Sequence, residues 1–216
     1  MNHLREISGA LTVVLTALVY VPLIISTARG RLKPHPVTWA VVALSTGANS
    51  VILLFNDAGP GVWGQASATV CNLVLAVVSF VSYRRLSRIT RRDVVFFLLA
   101  ITALVLWLIS RNLAAISVVL LTVSSVLGFV PTFTKTWDEP RSESFYTWSL
   151  LSLMAVFGVI ATTSPNFVNL FQRTSNIFLN TSLLMIMVVR RRKPSPNNPG
   201  PRTLEEERAL DGGALR

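Results

Sequence analysis

The chain has few charged residues and almost no cysteine. Asp, Glu, Lys and Arg make up 14% of the 216 residues, against about 25% in an average soluble domain. Cys71 is the single cysteine, which excludes an intrachain disulfide and the ligand spacing of a cysteine metal site. The sequence also has no phosphate-binding loop and no nucleophile paired with a histidine base. It therefore predicts no enzyme, no metal site and no cofactor.

Apolar residues are abundant instead. They form 51% of the chain, and the mean hydropathy is +0.56. A soluble domain of this length could not keep so much apolar surface away from water. We therefore expect the protein to lie in a lipid bilayer.

Seven segments are each apolar enough to cross a bilayer, which takes about 20 residues. Lipid offers no partner for backbone N–H and C=O groups, so each segment is predicted to be a helix. The first segment lacks the basic start and small-residue cleavage site of a signal peptide and is predicted to be retained. The fold class is an all-α integral membrane protein, with segments at 7–28, 37–56, 62–83, 94–110, 112–134, 145–163 and 167–189.

The net charge of +10 comes from short basic runs between the apolar segments. No basic patch with interleaved aromatic residues is present, so a nucleic-acid partner is not expected. The runs follow segments 1, 3, 5 and 7, and positively charged loops stay in the cytoplasm. This predicts a multi-pass protein of the cell (inner) membrane, with its N-terminus outside and its C-terminus in the cytoplasm. Residues 190–216 are polar and rich in Pro and Gly, and we expect them to form a disordered cytoplasmic tail.

An internal repeat organises the chain. The stretches "VPLIISTARGRLKPHPVTW" and "VPTFTKTWDEPRSESFYTW" begin at Val21 and Val130 and share Val-Pro and Thr-Trp at an offset of 109 residues. Both join the first and second segments of a triple, and the fourth segment restores the orientation of the second triple. A 3+1+3 parallel repeat follows. Its predicted parts are a first triple-helix bundle at 7–83, a basic loop and linker helix at 84–110, and a second bundle at 112–189.

The two stretches resemble the corresponding element of the SWEET and PQ-loop transporters. That element has a proline near the cytoplasmic end of the first helix, then a short basic loop and the start of the second helix. The resemblance covers about residues 7–189. Leu23 and Thr132 stand where the glutamine of the PQ motif would follow proline. The resemblance implies a transporter of small polar solutes such as sugars.

Pro22 and Pro131 each remove one helix hydrogen bond and favour a kink. At repeat-related positions they are candidate hinges of a gate. Proline is also tolerated in membrane helices without any such role.

The last segment carries a polar face. Five residues recur at spacings of 3 and 4, within about 80° of arc, and such side chains face a cavity or a partner helix rather than lipid. They are Asn166, Asn169, Arg173, Asn176 and Asn180. We expect this face to form one wall of an outer vestibule. Arg173 either reaches the outer surface by snorkelling or binds an anion, with Asp57 as a candidate partner.

The third segment has a shorter polar face made of Gln65, Thr69 and Asn72. In SWEET transporters an asparagine from the third helix of each unit binds sugar hydroxyls, and Asn72 and Asn180 match those places in the repeat. A neutral amide suits this role because it both donates and accepts. The alternative is hydrogen bonding between helices. Asn49 on the second segment and Phe157 on the sixth are further substrate-binding candidates.

No Asp, Glu, His or Lys lies inside a segment, and proton-coupled transporters use titratable groups at depth. The sequence therefore predicts uncoupled, alternating-access diffusion of a small polar, sugar-like solute. The alternative is a non-transporting receptor or scaffold of the same architecture. Besides the solute, the expected partner is the lipid bilayer, and the sequence leaves homo-oligomer formation open.

Overall fold

A computed structural model describes residues 2–32, 36–83, 91–141 and 143–191. These residues form seven α-helices and two short 3₁₀ helices, Gly59–Gly61 and Arg111–Leu113, without a β-strand. The predicted tail, apart from Arg190 and Arg191, and most of the basic loop after the third helix lie outside the described residues. The helices are α1 (Asn2–Ala28), α2 (Pro36–Phe55), α3 (Val62–Tyr83), α4 (Arg91–Ile109), α5 (Ala114–Asp138), α6 (Phe145–Ile160) and α7 (Phe167–Arg191).

Local signals explain several helix ends. After α1, Gly30 has φ 74°, and its N–H donates to Thr27 while the Arg31 N–H donates to Ser26. This is a Schellman cap, whose left-handed residue is most often glycine. Ser144 caps α6 by accepting from the Thr147 N–H at 3.3 Å. Asn166 caps α7 in the same way, accepting from the Asn169 N–H at 2.9 Å.

The two helix triples are packed alike. In the first, α3 contacts both α1 and α2; in the second, α7 contacts both α5 and α6. The third helix of each triple thus lies between the other two. The triples meet directly where α1 packs on α6, and on the other side α4 packs on both α2 and α5.

The main apolar core is formed by the junction of α2, α4 and α5. Small and medium residues pack there around the buried indole of Trp107, which is 4% exposed. The remaining core residues are Ala48, Ile52, Ala100, Ala103, Ala114, Val118 and Leu121. This core joins α4 to both triples.

Large apolar side chains face outward and polar side chains face inward. Val81, Ile109 and Phe178 are more than 70% exposed, whereas Asn49 and Asn72 are at most 1% exposed. In water, exposing so many large apolar side chains would be unfavourable, whereas lipid favours apolar side chains outside and polar ones inside. The protein is therefore membrane-embedded.

Four helical stretches are long and apolar enough to cross a bilayer: Asn2–Ala28, Pro36–Phe55, Gly59–Ser82 and Arg111–Asp138. Val94–Ile109 and Phe145–Ile160 are apolar but shorter. α7 is not among the four, because its asparagines and Arg173 lower its hydropathy. That seven helices cross the bilayer in a 3+1+3 repeat is taken up below as a proposal.

Candidate functional site

A polar cavity lies between the two triples. Its walls come from α1 and α3 on one side and from α6 and α7 on the other, near the end of the bundle that carries the α2–α3 and α6–α7 loops. Water centres can occupy about 30 Å³ of it, which is room for about two or three water molecules. The lining residues are Thr12, Gly61, Gly64, Gln65, Met154, Ala155, Gly158, Arg173 and Asn176. We call this space the polar cavity.

The α2–α3 loop and the α6–α7 region are joined by hydrogen bonds beside the polar cavity. Thr163 donates from its backbone to Ala58 at 3.2 Å and from its hydroxyl to the Asp57 carbonyl at 3.0 Å. Asn169 Nδ2 donates to the Asn56 carbonyl at 2.7 Å. The fourth bond runs from Arg173 Nη2 to the Gly61 carbonyl. We call these four bonds the loop latch, which ties the α2–α3 loop to the α6–α7 region.

Arg173 is 7% exposed and lies against the polar cavity. Besides its bond to Gly61, its Nη1 donates to Thr162 Oγ1 at 2.8 Å and to the Asn169 carbonyl at 2.7 Å. All three acceptors are uncharged. Snorkelling to the surface is not observed, and among the described residues Arg173 forms no ion pair with Asp57 or any other carboxylate.

Two glycines make room for the guanidinium. A Cβ on Gly158 would lie 3.2 Å from Arg173 Nε, and one on Gly61 would lie 3.3 Å from Nη2. A Cβ on Gly61 would also lie 2.8 Å from Thr162 Oγ1. The slot that holds the Arg173 side chain therefore exists because residue 61, in the α2–α3 loop, and residue 158, on α6, are both glycine.

The first two residues of the predicted vestibule wall have local bonding roles. Asn166 caps α7, and Asn169 is 1% exposed and donates to the carbonyls of both Asn56 and Ser164. Arg173 and Asn176 line the polar cavity further along the same helix face, together with Gln65 from α3. Three of the predicted substrate-binding residues therefore share one cavity.

Asn72 and Thr69 lie at the contact between α3 and α2. Asn72 Nδ2 donates to Thr46 Oγ1 at 3.4 Å, and the hydroxyls of Thr69 and Ser50 are 3.2 Å apart. A Cβ on Gly47 would lie 3.3 Å from Thr69 Cγ2, so the two helices approach closely here. These contacts fit the interhelical bonding that the sequence left as an alternative for Asn72.

Four buried amide oxygens have no hydrogen-bond partner among the described residues. They are Oδ1 of Asn49, Asn72, Asn169 and Asn180, whose residues are 1%, 0%, 1% and 4% exposed. Buried polar atoms are nearly always paired, so each such atom calls for an explanation. A polar solute or water is one partner that could satisfy them.

The remaining candidates are placed as follows. Phe157 is half-buried on α6 next to Gly158. Pro22 lies inside the continuous helix α1 with an exposed side chain. Pro131 lies within α5, and its side chain is outside the described part of the structure.

Several residues of the polar cavity were not predicted. Thr12 and Met154 come from α1 and α6, where the Thr16 hydroxyl also donates to Met154 Sδ at 3.1 Å. Gly61 and Gly158 were not predicted as parts of an arginine slot. At the repeat offset of 109 residues, Gly158 corresponds to Asn49. This correspondence is the one sequence feature that indicated this part of α6.

No protein-family model, curated protein or solved structure matches the chain. Its function is therefore argued from the geometry of the polar cavity and the loop latch.

Proposed function

We propose that the protein is a seven-span membrane transporter of 3+1+3 architecture that moves a small polar, sugar-like solute by alternating access. The polar cavity carries this proposal. It lies between α1 and α3 of one triple and α6 and α7 of the other, so a movement of one triple against the other would open or close it. A cavity inside one triple would not have this property.

Matching packing in the two triples supports the repeat. In each triple the third helix lies between the first and second. Two aromatic pairs also match at the offset of 109 residues. Tyr20 packs edge-on against Trp39 with ring centroids 6.4 Å apart, and Phe129 packs against Trp148 at 5.6 Å. The pairs join the first and second helices of each triple near the proposed cytoplasmic end.

The loop latch supports a closed gate at the opposite, outer end. Its four bonds link the α2–α3 loop with the α6–α7 region and stand beside the polar cavity. The polar cavity has space for only a few water molecules, which is too little for a whole sugar and fits a state without bound solute. Transport would break the latch in the outward-open state and form it again when the cavity opens to the cytoplasm.

We assign solute binding to polar residues at two levels. Gln65 and Asn176 lie in the polar cavity, and their amides can donate to and accept from hydroxyl groups. The unpaired amide oxygens of Asn72, Asn180 and Asn49 would accept hydrogen bonds from hydroxyl groups of the solute. Thr69 and Phe157 are the remaining candidates for binding it. Pro22 and Pro131 are the proposed hinges, as the resemblance to SWEET and PQ-loop transporters implies.

Flux through reconstituted protein tests the proposal. Wild-type protein in liposomes should equilibrate a radiolabelled hexose or another small polar solute across the bilayer. Asn72→Ala combined with Asn180→Ala should lower the flux at least about tenfold, because several hydrogen bonds to the solute are lost. Phe178→Leu changes a side chain on α7 that is 71% exposed and should leave the flux unchanged.

The competing function is a receptor or scaffold that binds a ligand without moving it. Saturable binding of a solute with no flux above that of protein-free liposomes would favour it. Equal loss of flux in the double variant and in Phe178→Leu would instead contradict the binding roles of the two asparagines.

A further inference from the structure

We infer that the polar cavity binds the carboxylate group of a small organic anion through Arg173. The inference rests on the proposed function, since it specifies the solute class of the same cavity. Among the described residues, the buried guanidinium has no acidic partner and two of its N–H groups have no acceptor, and the neutral polar side chains of Thr12, Gln65 and Asn176 line the same cavity.

The charge of Arg173 is not balanced by a carboxylate among the residues that the structure describes. Its three acceptors are the carbonyls of Gly61 and Asn169 and the hydroxyl of Thr162, which are all neutral. The described residues that line the polar cavity include no Asp or Glu. A buried charge without a counter-charge is unfavourable in a low-dielectric setting, and an anion in the cavity would relieve this cost.

Arg173 also keeps donors available. A guanidinium has five N–H groups, of which three have acceptors among the described residues: both on Nη1 and one on Nη2. The Nε–H and the second Nη2–H have no acceptor among these residues and can donate to a ligand. Nε lies at the Gly158 side of the slot, where a Cβ would be 3.2 Å away. Two donors on one guanidinium are suited to the two oxygens of a carboxylate.

The neighbouring side chains favour a carboxylate over a phosphate. Within the described part of the cavity lining, Arg173 is the only cation, and Gln65 and Asn176 add neutral amides. A phosphate has about two negative charges, and Arg173 would offer it one positive charge. A carboxylate has one negative charge, which matches the single positive charge of Arg173.

Arg173 also belongs to the loop latch, so a purely structural role is the competing explanation. The two roles can be separated because Thr163 takes part in the latch without lining the cavity. Thr163→Val removes the hydroxyl bond to Asp57 and keeps Arg173. Gln65→Leu and Asn176→Leu change the cavity wall and keep the latch.

The test measures binding of acetate, lactate and inorganic phosphate to the full-length protein in lipid nanodiscs, by calorimetry and by the thermal unfolding midpoint. Chloride at equal ionic strength is the reference solute. Lactate and acetate should bind saturably and raise the midpoint, whereas phosphate and chloride should not. Arg173→Gln should weaken lactate binding about 10- to 100-fold, since charge-assisted hydrogen bonds are lost.

The control variants keep the inference falsifiable if Arg173→Gln does not fold. Asn176→Leu and Gln65→Leu should weaken lactate binding about 3- to 10-fold, while Thr163→Val should lower the unfolding midpoint and leave lactate affinity unchanged. The inference is wrong if no carboxylate binds the wild type saturably, or if the cavity variants bind lactate as tightly as the wild type. It is also wrong if phosphate binds more tightly than lactate.

Flux measurements distinguish the two proposals. Lactate binding without lactate or hexose flux would retain the anion site and remove the transport function. Hexose flux without any anion binding would retain transport and remove the anion site.

Discussion

Asn169 of α7 donates one amide hydrogen to the carbonyl of Asn56, at a distance of 2.7 Å, across the contact between the two triples. Its second amide hydrogen goes to the Ser164 carbonyl at 2.8 Å. One buried side chain thus joins α7 to the end of α2 and to the loop that precedes α7. The sequence predicts Asn169 to lie in the wall of an outer vestibule, whereas in the structure its amide forms this bond between the triples.

Asn169→Leu should destabilise the protein. Two carbonyls lose their amide donor, and each loss costs about 1–3 kcal/mol when the carbonyl stays buried. We expect a lower thermal unfolding midpoint in detergent, measured by circular dichroism. Asn176→Leu is the matched control, because Asn176 lies about two turns further along the same helix face and takes no part in the loop latch. A midpoint that falls equally in both variants would contradict the role of the latch.

The two aromatic pairs should contribute similarly to stability. Double-mutant cycles on Tyr20 and Trp39, and on Phe129 and Trp148, should each give a coupling of about 0.5–1.5 kcal/mol, the usual range for edge-on rings. The measurement is reversible unfolding in mixed micelles with leucine replacements. Coupling in one pair and none in the other would argue against equivalent roles in the repeat.

The slot for Arg173 should not tolerate a larger residue at position 158. A Cβ there would already be 3.2 Å from Nε and 3.4 Å from Cδ, so Gly158→Val should displace the guanidinium and destabilise the protein by about 1–3 kcal/mol. Combining it with Arg173→Gln should cost less than the sum of the two single changes. Additive losses in thermal unfolding would mean that position 158 does not act on Arg173.

The helices could be predicted from the sequence because lipid imposes one rule on every apolar segment. The predicted 62–83 is α3, and the other predictions differ from the structure by a few residues at their ends. α5 continues to Asp138, four residues beyond the predicted 134, and α6 ends at Ile160, three before the predicted 163. End positions depend on local capping, which hydropathy does not describe.

The site was predictable only in part. The spacing on α7 identified Arg173 and Asn176, since polar residues on one helix face point to one place. It could not reveal that Asn166 caps the helix and Asn169 binds a distant carbonyl, because these contacts depend on how the loops fold. The burial of Arg173 likewise depends on Gly61 and Gly158, which lie far from α7 in the sequence.

The proposed orientation predicts which loops can be reached from each side. In a Cys71→Ser background, Pro165→Cys would place a thiol at an exposed position of the α6–α7 loop, and Arg31→Cys would place one after α1. In intact cells a membrane-impermeant maleimide should label position 165 and not position 31. Inside-out vesicles should give the opposite labelling. Labelling of both positions from the same side would contradict an odd number of membrane crossings between residues 31 and 165.

Transport should not depend on a proton gradient. The described residues that line the polar cavity include no Asp, Glu, His or Lys, and an arginine side chain keeps its proton at neutral pH. No lining group can therefore carry a proton through the cycle at neutral pH. A protonophore should leave the initial rate of solute entry into liposomes unchanged, and the final internal concentration should equal the external one. Accumulation above the external concentration under an imposed pH gradient would contradict uncoupled transport and would require a titratable group outside the polar cavity.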